Sequence, residues 1–155
     1  MGLFLEVENL ARDFNVYDRD RLCVVQLSDG NGDAHLVQFD KDQYDAPNLK
    51  ALLKNDKITK IFHYARFDVA MFQMYLGVET SNIYCTKIAS KMVRSYTDRH
   101  GLKDLCKELI GVDISKAQQC SDWGAGELTP DQEKYAASDV LYLHLIKDRL
   151  DEMLV

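Results

Sequence analysis

Nowhere in the 155 residues does an apolar run approach the ~20 residues that a membrane-spanning helix needs. The start carries no signal-peptide pattern either, so no membrane partner and a cytoplasmic location are expected. The four cysteines, Cys23, Cys85, Cys106 and Cys120, include no C-x-x-C pair, which argues against a zinc site. Cys23 in an apolar strand run and Cys106 on an apolar helix face read as reduced core residues. Positive charge is not in excess. The formal net charge of −6 argues against long, non-specific contact with duplex nucleic acid, which needs a broad basic surface. It leaves room for an enzyme that grips a short strand end through metal ions and a few Arg or Lys. Repeats, low-complexity tracts and interdomain linkers are also missing. What remains, at 46% hydrophobic and 28% charged residues, is a globular composition, read as one domain over 1–155 with a real core.

Alternation predicts a first strand over residues 3–9, LFLEVEN, with Glu6 and Glu8 on one face. The polar segment LARDFNVYDRD reads as a turn or loop. Residues 21–28 and 34–39 read as strands joined by the hairpin signal DGNGD, which completes an antiparallel meander. Residues 46–55 read as a helix and 57–62 as a short strand feeding into the helix FHYARFDVAMFQMYLG. A strand over 82–86 runs into a helix, KIASKMVRSY. A capped break at TDRHG leads to an amphipathic stretch over 101–110. After an irregular segment containing the single tryptophan, a last helix starts at Thr129, with Pro130 at its first position and Gln132 completing a capping box. It is read as running on toward the C-terminus. Three antiparallel strands followed by alternating helices and strands give a mixed α/β sheet that suits an RNase H-like fold.

Two carboxylates stand out. Asp139 has Tyr135, Ala136, Tyr142 and Leu143 at helical reach, and Asp68 has Tyr64, Ala65, Met71 and Phe72. No cation is among them, and a buried, unpaired carboxylate is costly. The plain reading is a core Asp paired to a distant Arg or capping a loop. The sharper one is a shared site with Glu6 and Glu8. Four such acids cannot all ionise together without cost, because like charges raise one another's pKa. A pair of Mg²⁺ or Mn²⁺ ions about 3.5–4 Å apart would satisfy them and drive phosphodiester hydrolysis. Tyr135, one turn before Asp139, would orient the attacking water. Glu6 and Glu8 read equally well as the solvated face of an edge strand.

The segments RDRLCVVQLS from Arg19, FHYARFD ending at Asp68, CTKIASKMVRSYTDRHGLKDL from Cys85, SDW at 121–123 and YAASDVLYL from Tyr135 carry a resemblance. Together they resemble the DEDDy 3′–5′ exonucleases, the RNase D-like group, and within it the NrnC-type nano-RNases. The likeness spans roughly residues 19–150. It implies a DnaQ-like exonuclease fold, with Asp68 and Asp139 as metal ligands and Tyr135 as the water-orienting tyrosine. The family's first strand carries Asp-x-Glu. Here Glu6-Val7-Glu8 is the candidate, and an ungapped match would instead put Asn9 and Ala11 at those positions. His63, Arg66, Lys87 and Asp122 are candidate substrate contacts, with Arg94 and Arg99 as further phosphate contacts. Surface solvation is the default for the cations. Trp123 reads as a cleft wall or a core anchor.

The resulting expectation is a metal-dependent 3′–5′ exoribonuclease. It would act on the 3′ end of short single-stranded RNA, or DNA, and release nucleoside 5′-monophosphates. The alternative is a non-catalytic nucleic-acid-binding or assembly module with the same fold. The resemblance also implies self-association into higher-order rings.

Overall fold

The computed structural model describes residues 2–40 except 9–20, then 43–115, 117 and 121–154; of residues 2–8 it describes the backbone alone. The loop expected over 10–20 and Cys120 lie outside these residues. Strands β1 (Gly2–Glu8), β2 (Val24–Ser28), β3 (His35–Gln38), β4 (Thr59–Phe62) and β5 (Ile83–Cys85) form one sheet in the order β3-β2-β1-β4-β5. The first three pair antiparallel, as expected, and β4 and β5 join parallel, which makes the sheet mixed. The hairpin between β2 and β3 is held by side chains that mimic backbone turns: Asp29 Oδ1 accepts from Asn31 N, and Asn31 Oδ1 from Asp33 N.

Alternation along the strands sends two residue sets to opposite faces. Val25, Leu27, Val37 and Phe62 pack under α1 (Pro47–Lys54) and α2 (Ala65–Met71), against Leu49, Leu53, Ala65, Met71 and Phe72. Val24, Leu36 and Ile61 lie under α5 (Pro130–Leu141), which brings Tyr135, Ala136 and Val140. A third apolar cluster joins α3 (Thr86–Val93), α4 (Leu102–Leu105) and α6 (Leu143–Met153) through Ala89, Leu105, Ile146 and Leu150. Together the faces make a helix–sheet–helix sandwich.

Two helices end the same way. After α2 and after α4 the last turn widens to a π-helical turn, Phe72–Leu76 and Cys106–Ile110. Each closes on a left-handed glycine, Gly77 or Gly111, whose successor bonds back: Val78 N to Phe72 O and Val112 N to Cys106 O.

Two expectations need correction. The last helix is not continuous. Tyr142, at φ −110° and ψ −6°, separates α5 from α6. Neither Pro nor Gly marks the break; α5 packs on β1 to β3 while α6 packs on α3 and the turn after α4, so tertiary packing sets it. Helix α3 also stops at Val93 rather than Tyr96. There Arg94 turns inward, and its guanidinium donates to Ser90 Oγ and Arg99 O and pairs with Glu108.

Candidate active site

β1 is the central strand, and positions 6 and 8 pair with Gln26 and Val24 of β2. Those two residues are fully buried on the face that α5 covers. Tyr135 and Ala136 pack with Val24, level with position 8. Val140 packs with Ile61, which is level with Phe4. Helix α5 therefore runs along β1 in the opposite direction, and Asp139 falls on the stretch between these two levels. Its carboxylate is near the turn after α4: the Cys106 thiol is pushed up to about 12, by burial first and then by the Asp139 charge. The capping box at the start of α5 is present. Thr129 Oγ1 accepts from Gln132 N at 3.2 Å, and Gln132 Oε1 from Thr129 N at 2.8 Å.

Asp68 arrives from the other layer. β4 ends at Phe62, and Tyr64 adopts a left-handed conformation, φ 70° and ψ 52°. That turns the chain into α2 within two residues of the strand, a costly backbone state for a bulky side chain. Asp68 then sits in the first turn of α2, where the helix dipole favours a carboxylate. Because β1 and β4 are parallel, α2 starts from the sheet edge toward which positions 6 and 8 run. Asp68 and Asp139 are only 2% and 4% exposed, and both make further interactions.

Around them the other candidates separate. The half-buried His63 places Nδ1 2.9 Å from Thr86 Oγ1. Its pKa is lowered to about 4 by burial, then by the charges of Lys87 and His100. The Lys87 ammonium stands 4.1 Å from the centroid of the Tyr64 ring, a cation–π contact. Arg66 and Asp122 are exposed, and Asp122 Oδ1 accepts from Gly124 N at 3.0 Å. Trp123 is a core anchor: it is fully buried and stands 5.9 Å, ring to ring, from Tyr135. Gln132 Nε2 donates to Ser121 Oγ and Asp122 O, so the SDW segment is fastened to the start of α5. Arg94 is not a phosphate contact, since it is buried and committed to Glu108. Arg99 is exposed.

Asp68 and Asp139 offer oxygen donors from two helices, the chemistry that Mg²⁺ and Mn²⁺ prefer. Among the described residues no group of three or more His, Cys, Asp or Glu stands close enough to hold a metal ion. The side chains of Glu6 and Glu8 lie outside the described residues.

Residues 7–155 match the 3′–5′ exonuclease family along almost the whole chain. This chain belongs to that family. It is 36% identical over 129 residues to ribonuclease D of Acidiphilium cryptum, covering 83% of this chain and 32% of that protein. It thus spans about a third of the length of the curated relatives it matches. The fold superposes on Brucella melitensis NrnC with a TM-score of 0.91 and 52% identity, covering 99% of this chain and 73% of that one. NrnC has also been solved with bound Mg²⁺ and bound to pGG. Escherichia coli RNase D, an exoribonuclease involved in structured RNA processing, aligns at 30% identity and a TM-score of 0.81, covering 98% of this chain and 39% of that one. The RNase H-like, DnaQ-like exonuclease fold is therefore the fold of this chain.

Thr86 and His100 escaped the sequence reading. Strand pairing shows Thr86, and the Ser90 Oγ–His100 Nδ1 contact at 2.8 Å sets His100 beside α3. Phe62 lies opposite Cys85 in the parallel β4–β5 ladder, which brings Thr86 beside His63. No local spacing carries that signal.

Proposed function

We propose that the chain is a metal-dependent 3′–5′ exoribonuclease that removes nucleoside 5′-monophosphates from the 3′ end of short single-stranded RNA. One observation carries the reading. Two carboxylates are buried on different helices: Asp139 on α5, which lies along β1, and Asp68 on α2, which leaves β4 at the end of the sheet toward which Glu6 and Glu8 run in sequence. NrnC, with its Mg²⁺ and pGG complexes, supports the metal and the short substrate.

In this reading Glu6, Glu8, Asp68 and Asp139 hold Mg²⁺ or Mn²⁺ as a two-metal site. Bound there, the metal supplies Lewis-acid stabilisation of the charge that develops at the phosphodiester. Tyr135, fixed against Trp123, directs its hydroxyl to the attacking water. The water oxygen bonds to phosphorus, the bond to the 3′ oxygen breaks, and that oxygen takes up a proton. Lys87 and Arg66 draw the phosphates of the strand toward the site. Asp122, tied down by Gln132, borders it. Self-association, cytoplasmic location and a single domain over 1–155 complete the proposal. Light scattering after size exclusion measures the oligomeric state.

The second reading is a binding or assembly module that retained the fold. It is favoured by one observation, the absence of Asp-x-Glu from the first strand. A 5′-labelled short RNA, incubated with Mg²⁺ or Mn²⁺, separates the two. Stepwise shortening from the 3′ end by the wild type, abolished in Asp139→Ala and by EDTA, is the expected result. No shortening by either protein, with RNA binding retained, selects the module.

A further inference from the structure

Buried carboxylates and phosphate-binding cations do not tell ribose from deoxyribose, because both strands carry the same phosphodiester. His63 can. The hydroxyl of Thr86 is fully buried and donates its one proton to the Phe62 carbonyl at 3.1 Å. A carbonyl has no proton to return. Toward His63 Nδ1, 2.9 Å away, Thr86 Oγ1 is therefore an acceptor, and Nδ1 carries the hydrogen. A neutral imidazole protonated at Nδ1 presents a bare lone pair at Nε2. The charged form, which would donate from both nitrogens, is disfavoured by burial first and then by Lys87 and His100, supplied by α3 and the segment after it.

A bare nitrogen repels phosphate oxygens and accepts from O–H groups. On a nucleic-acid 3′ end the sugar hydroxyls are the O–H groups. His63 directly follows β4, which pairs parallel with β1 through Phe4 and Ile61, so it stands at the end of the sheet from which α2 carries Asp68. Resting on the exonuclease reading, we propose that His63 Nε2 accepts a hydrogen bond from a hydroxyl of the 3′-terminal ribose. That makes His63 a specificity-determining residue rather than a phosphate contact. Bonding to the 2′-hydroxyl selects RNA over DNA; bonding to the 3′-hydroxyl selects a free end.

Three dinucleotides with a 5′-phosphate test it: all-ribo, 2′-deoxy at the terminal sugar, and 3′-deoxy at the terminal sugar. For each, kcat/KM is measured with wild type, His63→Ala, His63→Gln and Thr86→Val, with thermal melting as the folding check. One lost neutral hydrogen bond corresponds to roughly a five- to tenfold change. Wild type is expected to prefer the all-ribo substrate over one of the deoxy substrates by about that factor. His63→Ala should erase that preference, so that the ribo and deoxy substrates are cleaved with the same kcat/KM. Gln can present an oxygen acceptor and should restore part of the preference. Thr86→Val, which frees the tautomer, should lose part of it. A ribo-to-deoxy ratio that is the same in wild type and His63→Ala overturns the assignment of His63 alone. Wild type that cleaves none of the three removes the exonuclease reading and this proposal with it.

Discussion

Asp68 and Asp139 are nearly excluded from solvent, and neither has a Lys or Arg at helical spacing. If they hold metal, a neutral amide of the same shape should remove activity without unfolding the chain. Asp68→Asn and Asp139→Asn are each expected to lower kcat by more than about a hundredfold, since even loss of groups that only support a metal ligand costs 10–100-fold. Steady-state kinetics beside a melting curve checks this. His63 gives a pH prediction. Its folded pKa, about 4, lies below the ordinary histidine value of about 6.5. The folded state binds that proton less readily than the unfolded chain. The stability associated with neutral His63 is thus fully present above about pH 6.5 and is lost as pH falls toward about 4. Melting temperatures across this window should fall less in His63→Gln than in wild type. An identical fall in the two proteins would contradict the burial and the Lys87 and His100 charges invoked for it.

At the scale of elements, the start of α5 matters because that helix carries both Tyr135 and Asp139. Thr129→Ala removes one half of the capping box and is expected to cost about 1 kcal/mol, read as a shift in the denaturant midpoint. The β2–β3 turn meets α6 closely. A methyl group on Gly30 would stand 2.2 Å from the His144 ring, and Gly30 has φ +85°. Gly30→Ala should therefore destabilise by more than about 1 kcal/mol, from strain as well as overlap, with equilibrium unfolding as the measure. The strands, the capping box and the Asp68 helix were legible because their signals are local: period-two alternation, a T-x-x-Q cap, apolar spacing. The break at Tyr142 was not, since two packing surfaces set it and no helix-breaking residue announces it. The same holds for Arg94, whose inward turn depends on Glu108, fourteen residues away in the chain.

Across the whole molecule, one sheet brings distant motifs together. Three antiparallel strands followed by alternating helices and strands were enough to anticipate a mixed sheet, and the motif segments were enough to anticipate the family. The partners of the site residues were a different matter. Trp123 against Tyr135 and Thr86 against His63 are contacts across the fold that no spacing along the chain encodes. The proposed activity requires the acids of β1, α2 and α5 to act as one cation site. Mn²⁺ binding, followed by electron paramagnetic resonance during titration, tests this most directly. The wild type is expected to bind Mn²⁺, and Glu6→Gln, Glu8→Gln, Asp68→Asn and Asp139→Asn are each expected to weaken that binding sharply while the chain stays folded. Binding that survives Asp68→Asn or Asp139→Asn unchanged would contradict the proposal.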